Sequence, residues 1–229
     1  MSAIGDLKLS GIGTAAGGVY RHVTMEGTGT IGGGISCETF RLDGLGTIQG
    51  DIRCEDRFGF SGKLTGSGDL EAASIEIEGQ ATLAGRLRGE KIRLAGFAMV
   101  RGDVEAETFD AEGGFTVEGL LNAGTVDVRL QGRCRAEEIG CDRIVVRRSS
   151  RSDWSRLLAW MVPLFQPQLT VRSIEGNEVD LADTFADVVR GDRVTIGPGC
   201  DVKAVEYRTE LIVHPSAKVG ARTRQGGED

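Results

Sequence analysis

The sequence predicts an all-β protein, a single-stranded parallel β-helix of about ten coils of ~17 residues each, carrying one short helical or apolar insertion. Three observations point there: glycines recur at a fixed interval, apolar residues alternate between them, and no helical period appears inside the repeat. Glycine makes up 35 of 229 residues, about twice the usual ~7%. A glycine-rich chain can be a linker, but 40% hydrophobic residues are enough to bury a core. The glycines do not recur every third residue, which excludes collagen.

Two glycine series set the period. Gly33, Gly50, Gly68, Gly85, Gly102 and Gly119 are spaced by 17, 18, 17, 17 and 17 residues. Gly44, Gly62, Gly79, Gly96 and Gly113 keep the same register, including the single step of 18, so one extra residue lies between Glu55 and Phe58. Around the first series, Ile31/Ile35, Ile48/Ile52 and Leu83/Leu87 alternate with polar residues, the period of a strand with one buried face. A second apolar pair follows in each unit: Phe40/Leu42, Phe58/Phe60, Ile75/Ile77 and Ile92/Leu94. The second glycine series stands two residues later and is expected to mark a turn with positive φ. Each unit then holds two short strands and two turns. Such a unit cannot cover its own apolar face, so like positions must stack, about 4.8 Å apart. Cys37, Cys54, Ala72, Gly89, Ala106 and Ala123 share one column of small residues, as an inner corner requires.

The pattern extends in both directions. Leu7/Leu9/Gly11 matches Val23/Met25/Gly27, giving an earlier coil. Val179/Leu181, Val194/Ile196 and Leu211/Val213 give three later ones. The predicted order is N-terminal coils over 1–148, an apolar insertion over 149–168, C-terminal coils over 169–220, and a polar tail over 221–229. In the insertion, Trp154, Leu157, Leu158 and Met161 share a helical face, which Pro163 would end. With Trp160, Leu164 and Phe165, and arginines upstream, they form the candidate contact with a membrane surface or a partner chain.

Chemistry has little to work with. A net charge of −7 argues against nucleic acid as partner. No run of 18 apolar residues exists, and Met1–Asp6 has no signal-peptide pattern. Five cysteines without such a signal suggest reduced thiols in the cytoplasm. Cys134 and Cys141 lack the spacing of a zinc site, and His22 and His214 fall in distant coils. No catalytic, cofactor-binding or metal-ligating residue is assigned, and the chain is expected not to be an enzyme. Glu38, Glu55, Glu90 and Glu107 stack as a solvated column. Thr30, Thr47, Thr65 and Thr82 form a ladder whose companion column is mixed, which excludes the double threonine array of ice-binding β-helices. Val194–Val202 is similar to one turn of the hexapeptide-repeat acyltransferases, a resemblance confined to that turn.

Tandem units such as Gly27–Glu38 and Gly46–Glu55 resemble the bactofilins, polymer-forming cytoskeletal proteins of bacteria. Asp6–Gly13, Gly113–Ala123 and Val188–Cys200 resemble a longer subgroup of that family in spore-forming bacteria. The resemblance implies a right-handed β-helix without cofactor, polymerising without nucleotide and often peripheral to the inner membrane. It implies a role in cell shape, motility or envelope organisation. The expected function is a self-associating scaffold, cytoplasmic, with a peripheral place at the inner face of the cell membrane as a further expectation. The alternatives are a hexapeptide-like acyltransferase, a ligand-binding β-helix and a non-polymerising interaction module.

Overall fold

A computed structural model describes residues 5–149 and 167–226. The predicted insertion helix, with Trp154, Leu157, Leu158, Trp160, Met161, Leu164 and Phe165, lies outside the described residues. The described residues form an all-β parallel β-helix of stacked coils, whose neighbouring strands pair in parallel. No helix occurs among the described residues. The chain divides into two compact units, Met1–Phe109 with Thr116–Gly119, and Asp110–Phe115 with Leu120–Asp229.

The first unit contains β1 (Leu7–Ala15), β2 (Gly18–Val19), β3 (His22–Ile31), β4 (Ile35–Ile48), β5 (Ile52–Gly66), β6 (Leu70–Leu83), β7 (Leu87–Val100) and the start of β8 (Val104–Arg148). Successive long strands pair in register, for example Phe40↔Phe58↔Ile75↔Ile92. Within one coil the inward residues come as three pairs: Ile35/Cys37, Phe40/Leu42 and Gly46/Ile48. Alternation breaks between the pairs, at Glu38–Thr39, at Asp43–Leu45 and at Gln49–Asp51. The coil therefore has three sides and three corners, not the two strands and two turns read from the sequence. Gly50, read as lying within a strand, stands at a corner outside the ladder.

The two glycine series have different causes, except at Gly50, which belongs to the first series but has φ +125°. Gly44 has φ +133°, and a Cβ there would lie 2.1 Å from the carbonyl oxygen of Gly27 in the coil before. Both the dihedral and the crowding exclude a side chain, as the predicted positive φ requires. Gly68 has no such dihedral; its Cβ would lie 2.5 Å from the backbone carbon of Gly50, so corner stacking alone fixes it. The one-residue step of 18 is absorbed at the corner where the ladder skips from Cys54↔Ala72 to Arg57↔Ser74.

The core of this unit is a set of apolar columns. Phe40, Phe58, Ile75 and Ile92 are all essentially inaccessible. The rings of Phe40 and Phe58 stack at 4.9 Å, and Phe60 meets Phe58 edge-on at 6.3 Å. The small column faces inward as expected, with Cys37, Cys54 and Ala72 buried.

The second unit contains most of β8 together with β9 (Gln168–Leu181), β10 (Thr184–Ile196), β11 (Asp201–Val213) and β12 (Lys218–Arg224). Val179↔Val194↔Leu211 and Leu181↔Ile196↔Val213 stack as the spacings of 15 and 17 predict. Cys134 pairs with Leu169 and Ile144 with Val179, a constant offset on both sides of the compositional break. The interruption thus leaves a corner of the coil without displacing the ladder. Arg148 and Asp183 close that corner with a two-pronged ion pair, at 2.7 and 3.1 Å.

Candidate assembly edges and the outward faces

A stack of coils pairs its interior strands on both sides and leaves one strand unpaired at each end. Among the described residues of the first unit that strand is β1, which pairs only with β3. Its inward residues Leu7 and Leu9 are half-buried, whereas Val23 and Met25, one coil in, are covered. An apolar layer is thus left open together with a row of backbone donors and acceptors. Lys8 is the single charged side chain of the nine in β1. In the second unit the end strand is β12, which pairs only with β11. It differs in chemistry: Lys218, Arg222 and Arg224 put three cations on seven residues with no acid among them. Charges of this kind are a common guard on sheet edges. The register shows which of these residues stand on the last rung.

Corner aspartates tie consecutive coils together. The Asp51 carboxylate accepts the backbone N–H of Asp69 at 3.0 Å, and the Asp69 carboxylate accepts that of Arg86 at 2.8 Å. The Arg86 guanidinium adds an ion pair to Asp69 at 3.1 Å. The Arg86 backbone N–H, followed by its guanidinium, holds the Asp69 carboxyl below the usual carboxylate range.

The outward faces of the first unit differ in charge. Its second side carries Arg41, Asp43, Arg57, Glu76 and Glu78 around an open groove above Gly59. Its third side carries the threonine ladder, Thr14↔Thr30↔Thr47↔Thr65↔Thr82, ending in Met99. Beside it runs Ile12↔Thr28↔Leu45↔Lys63↔Gln80↔Phe97. Lys63 is the one charge among these twelve positions, and Ile12, Leu45 and Phe97 are exposed.

The thiols and imidazoles are occupied with structure. Cys37 and Cys54 lie in register with sulfurs 3.4 Å apart, and the hydrogen bond with Cys37, reinforced by burial, pushes the Cys54 thiol up. Burial pushes both Cys134 and Cys141 up to about 12. His22 Nδ1 is 2.9 Å from Thr39 Oγ1, and His214 Nδ1 is 2.8 Å from Ser216 Oγ. Among the described residues no three His, Cys, Asp or Glu side chains converge on a common point for a metal. Also among them, no helix is long and apolar enough to cross a membrane.

Parallel coils, register-stacked apolar columns and glycine corners define the class of this protein as a parallel β-solenoid. Comparison with known proteins narrows that class. The chain is 36% identical to the uncharacterized protein YhbF of Bacillus subtilis over 239 aligned positions, covering 96% of this chain and 97% of the relative. It belongs to the YhbF family. It is also 40% identical over 105 residues to the uncharacterized protein YhbE of the same organism, spanning 45% of this chain and 42% of that relative. No family model and no solved structure matches the chain.

Proposed function

We propose that this protein is a non-enzymatic structural scaffold that self-associates through the open ends of its coils, in the manner of the bactofilins it resembles. The observation that carries the reading is β1, an unguarded strand edge over a half-covered apolar layer. Pairing it with a second chain would satisfy its backbone groups and bury Leu7 and Leu9. Cytoplasmic location, attachment to the inner face of the membrane, and service to cell shape, motility or envelope organisation belong to the same proposal. They rest on the resemblance alone.

Sedimentation velocity and negative-stain microscopy across a range of salt and protein concentrations test it. Assemblies that grow with concentration are expected. Leu9→Lys should reduce them: solvent reaches the new ammonium at an open end, whereas a paired edge would bury it. A strictly monomeric particle under every condition overturns the proposal.

A further inference from the structure

Cys37 and Cys54 stand on neighbouring rungs, directly opposite each other in the β4–β5 ladder. Both face inward and are buried, and their sulfurs approach to 3.4 Å. We propose that this pair is an oxidation site, which a peroxide converts to a disulfide that staples one coil to the next. Rungs of a parallel ladder are about 4.8 Å apart, inside the ~4.4–6.8 Å between Cα atoms that a disulfide spans. The sulfurs must close by about 1.4 Å, which rotation of the two side chains and a small movement of the rungs supply. The backbone can give at this point, because directly after both cysteines the ladder skips from Cys37↔Cys54 to Thr39↔Arg57. The column also selects the pair: Ala72 and Gly89 occupy the next rungs and carry no sulfur.

The same geometry sets the order of events. The Cys54 S–H donates to the Cys37 sulfur, which holds the Cys37 thiol below its ordinary value while Cys54 is raised. Cys37 is therefore the nucleophile. Its thiolate attacks one peroxide oxygen and the O–O bond breaks. Hydroxide leaves, takes up the proton that Cys37 lost, and Cys37 becomes a sulfenic acid. The Cys54 sulfur then attacks the Cys37 sulfur, the S–O bond breaks, and the hydroxyl leaves as water with the Cys54 proton. Two thiols and one hydrogen peroxide thus give one disulfide and two waters. Access comes from the end of the stack. The β2–β4 pairing ends at Val19↔Ser36 and the β3–β4 pairing begins at His22↔Thr39, so Cys37 falls in the gap between them. Coils beside an open end undergo local opening at the least cost.

The test treats the folded full chain with hydrogen peroxide, alkylates it in urea without reductant and digests it with trypsin. The expected product joins His22–Arg41 to Cys54–Arg57, two hydrogens lighter than the sum of the two peptides. A link that forms only when peroxide is added in urea overturns the proposal. So does recovery of both thiols intact once the partly exposed Cys141 is fully oxidised. Cys54→Ala puts into the column the side chain that Ala72 already supplies, and the circular dichroism spectrum should be unchanged. Without its donor, Cys37 should lose its thiol to peroxide at least about tenfold more slowly, and an unchanged rate overturns the assigned order. In a Cys141→Ser chain, dithiothreitol should lower the urea midpoint of the oxidised protein; an unchanged or higher midpoint overturns the staple.

Discussion

A series of three glycine replacements separates the two causes of the glycine columns. Gly59→Ala adds a methyl group that meets nothing within 4 Å, at a backbone without positive φ. Its effect should be near neutral, with a gain of about 0.4–1 kcal/mol available from restricting the unfolded chain. Gly68→Ala has no dihedral penalty, but its methyl lies 2.5 Å from Gly50 carbon and 2.6 Å from Asp51 nitrogen. Opening that contact to an ordinary separation shifts the corner by roughly an ångström, at a cost of about 1–3 kcal/mol. Gly44→Ala combines φ +133° with a methyl 2.1 Å from the Gly27 oxygen, inside a ladder held on both sides. Dihedral strain of about 1–3 kcal/mol adds to an overlap of about 1–3 kcal/mol, giving about 2–6 kcal/mol in all. Urea unfolding followed by far-ultraviolet circular dichroism reads the three variants against the wild type. The predicted order is Gly59→Ala most stable, then Gly68→Ala, then Gly44→Ala. Gly44→Ala within about 1 kcal/mol of Gly59→Ala would refute the assignment of the second glycine series to strained, stacked corners.

Three further outcomes follow from the same coordinates. Phe58→Ala removes a fully buried ring stacked on Phe40 and should cost about 3–5 kcal/mol in the same unfolding assay, with Phe58→Leu much milder. The depressed pKa of Asp69 means its contribution is present above the unfolded carboxylate range and lost as pH falls through the lower folded value. Asp69→Asn should therefore lower stability at neutral pH and flatten its decline in acid, as melting temperatures from pH 7 down to 2 would show; its 43% exposure keeps the effect small. Burial pushes the Cys134 thiol up to about 12, so it should react with Ellman's reagent roughly a thousandfold more slowly in the native chain than in urea, and equal rates would contradict its burial.

Much of the architecture was legible because a stacked coil repeats its constraints. The positive-φ corner, the inward column of Cys37, Cys54 and Ala72, and the C-terminal pairings at 15 and 17 residues all follow from sequence spacing. The third side of the coil was hidden. Its first inward position is Gly29, Gly46, Leu64, Ala81 and Ala98 in turn, and residues this small erase the alternation that reveals a strand. Ile48 then reads as the partner of Ile52 across Gly50, and two sides merge into one. The edges were harder still, since Leu7 and Val23 look alike in sequence and differ only in what lies above them. The threonine ladder and its mixed companion column were legible from spacing, although their members are spread over eighty-eight residues.

The corner aspartates have a direction. Asp51 receives an N–H from the following coil, and Asp69 does the same for the one after. Each acceptor is therefore already in place before its donor has been synthesised. A chain leaving the ribosome would grow as a crystal grows, every new coil laid on a finished template a fixed distance back in the sequence. Across the first unit loop closure then never exceeds about one coil, which keeps the entropic barrier constant from strand to strand. Vectorial growth of this kind also means that β1, the first coil made, stands as an edge from the start of synthesis to its end.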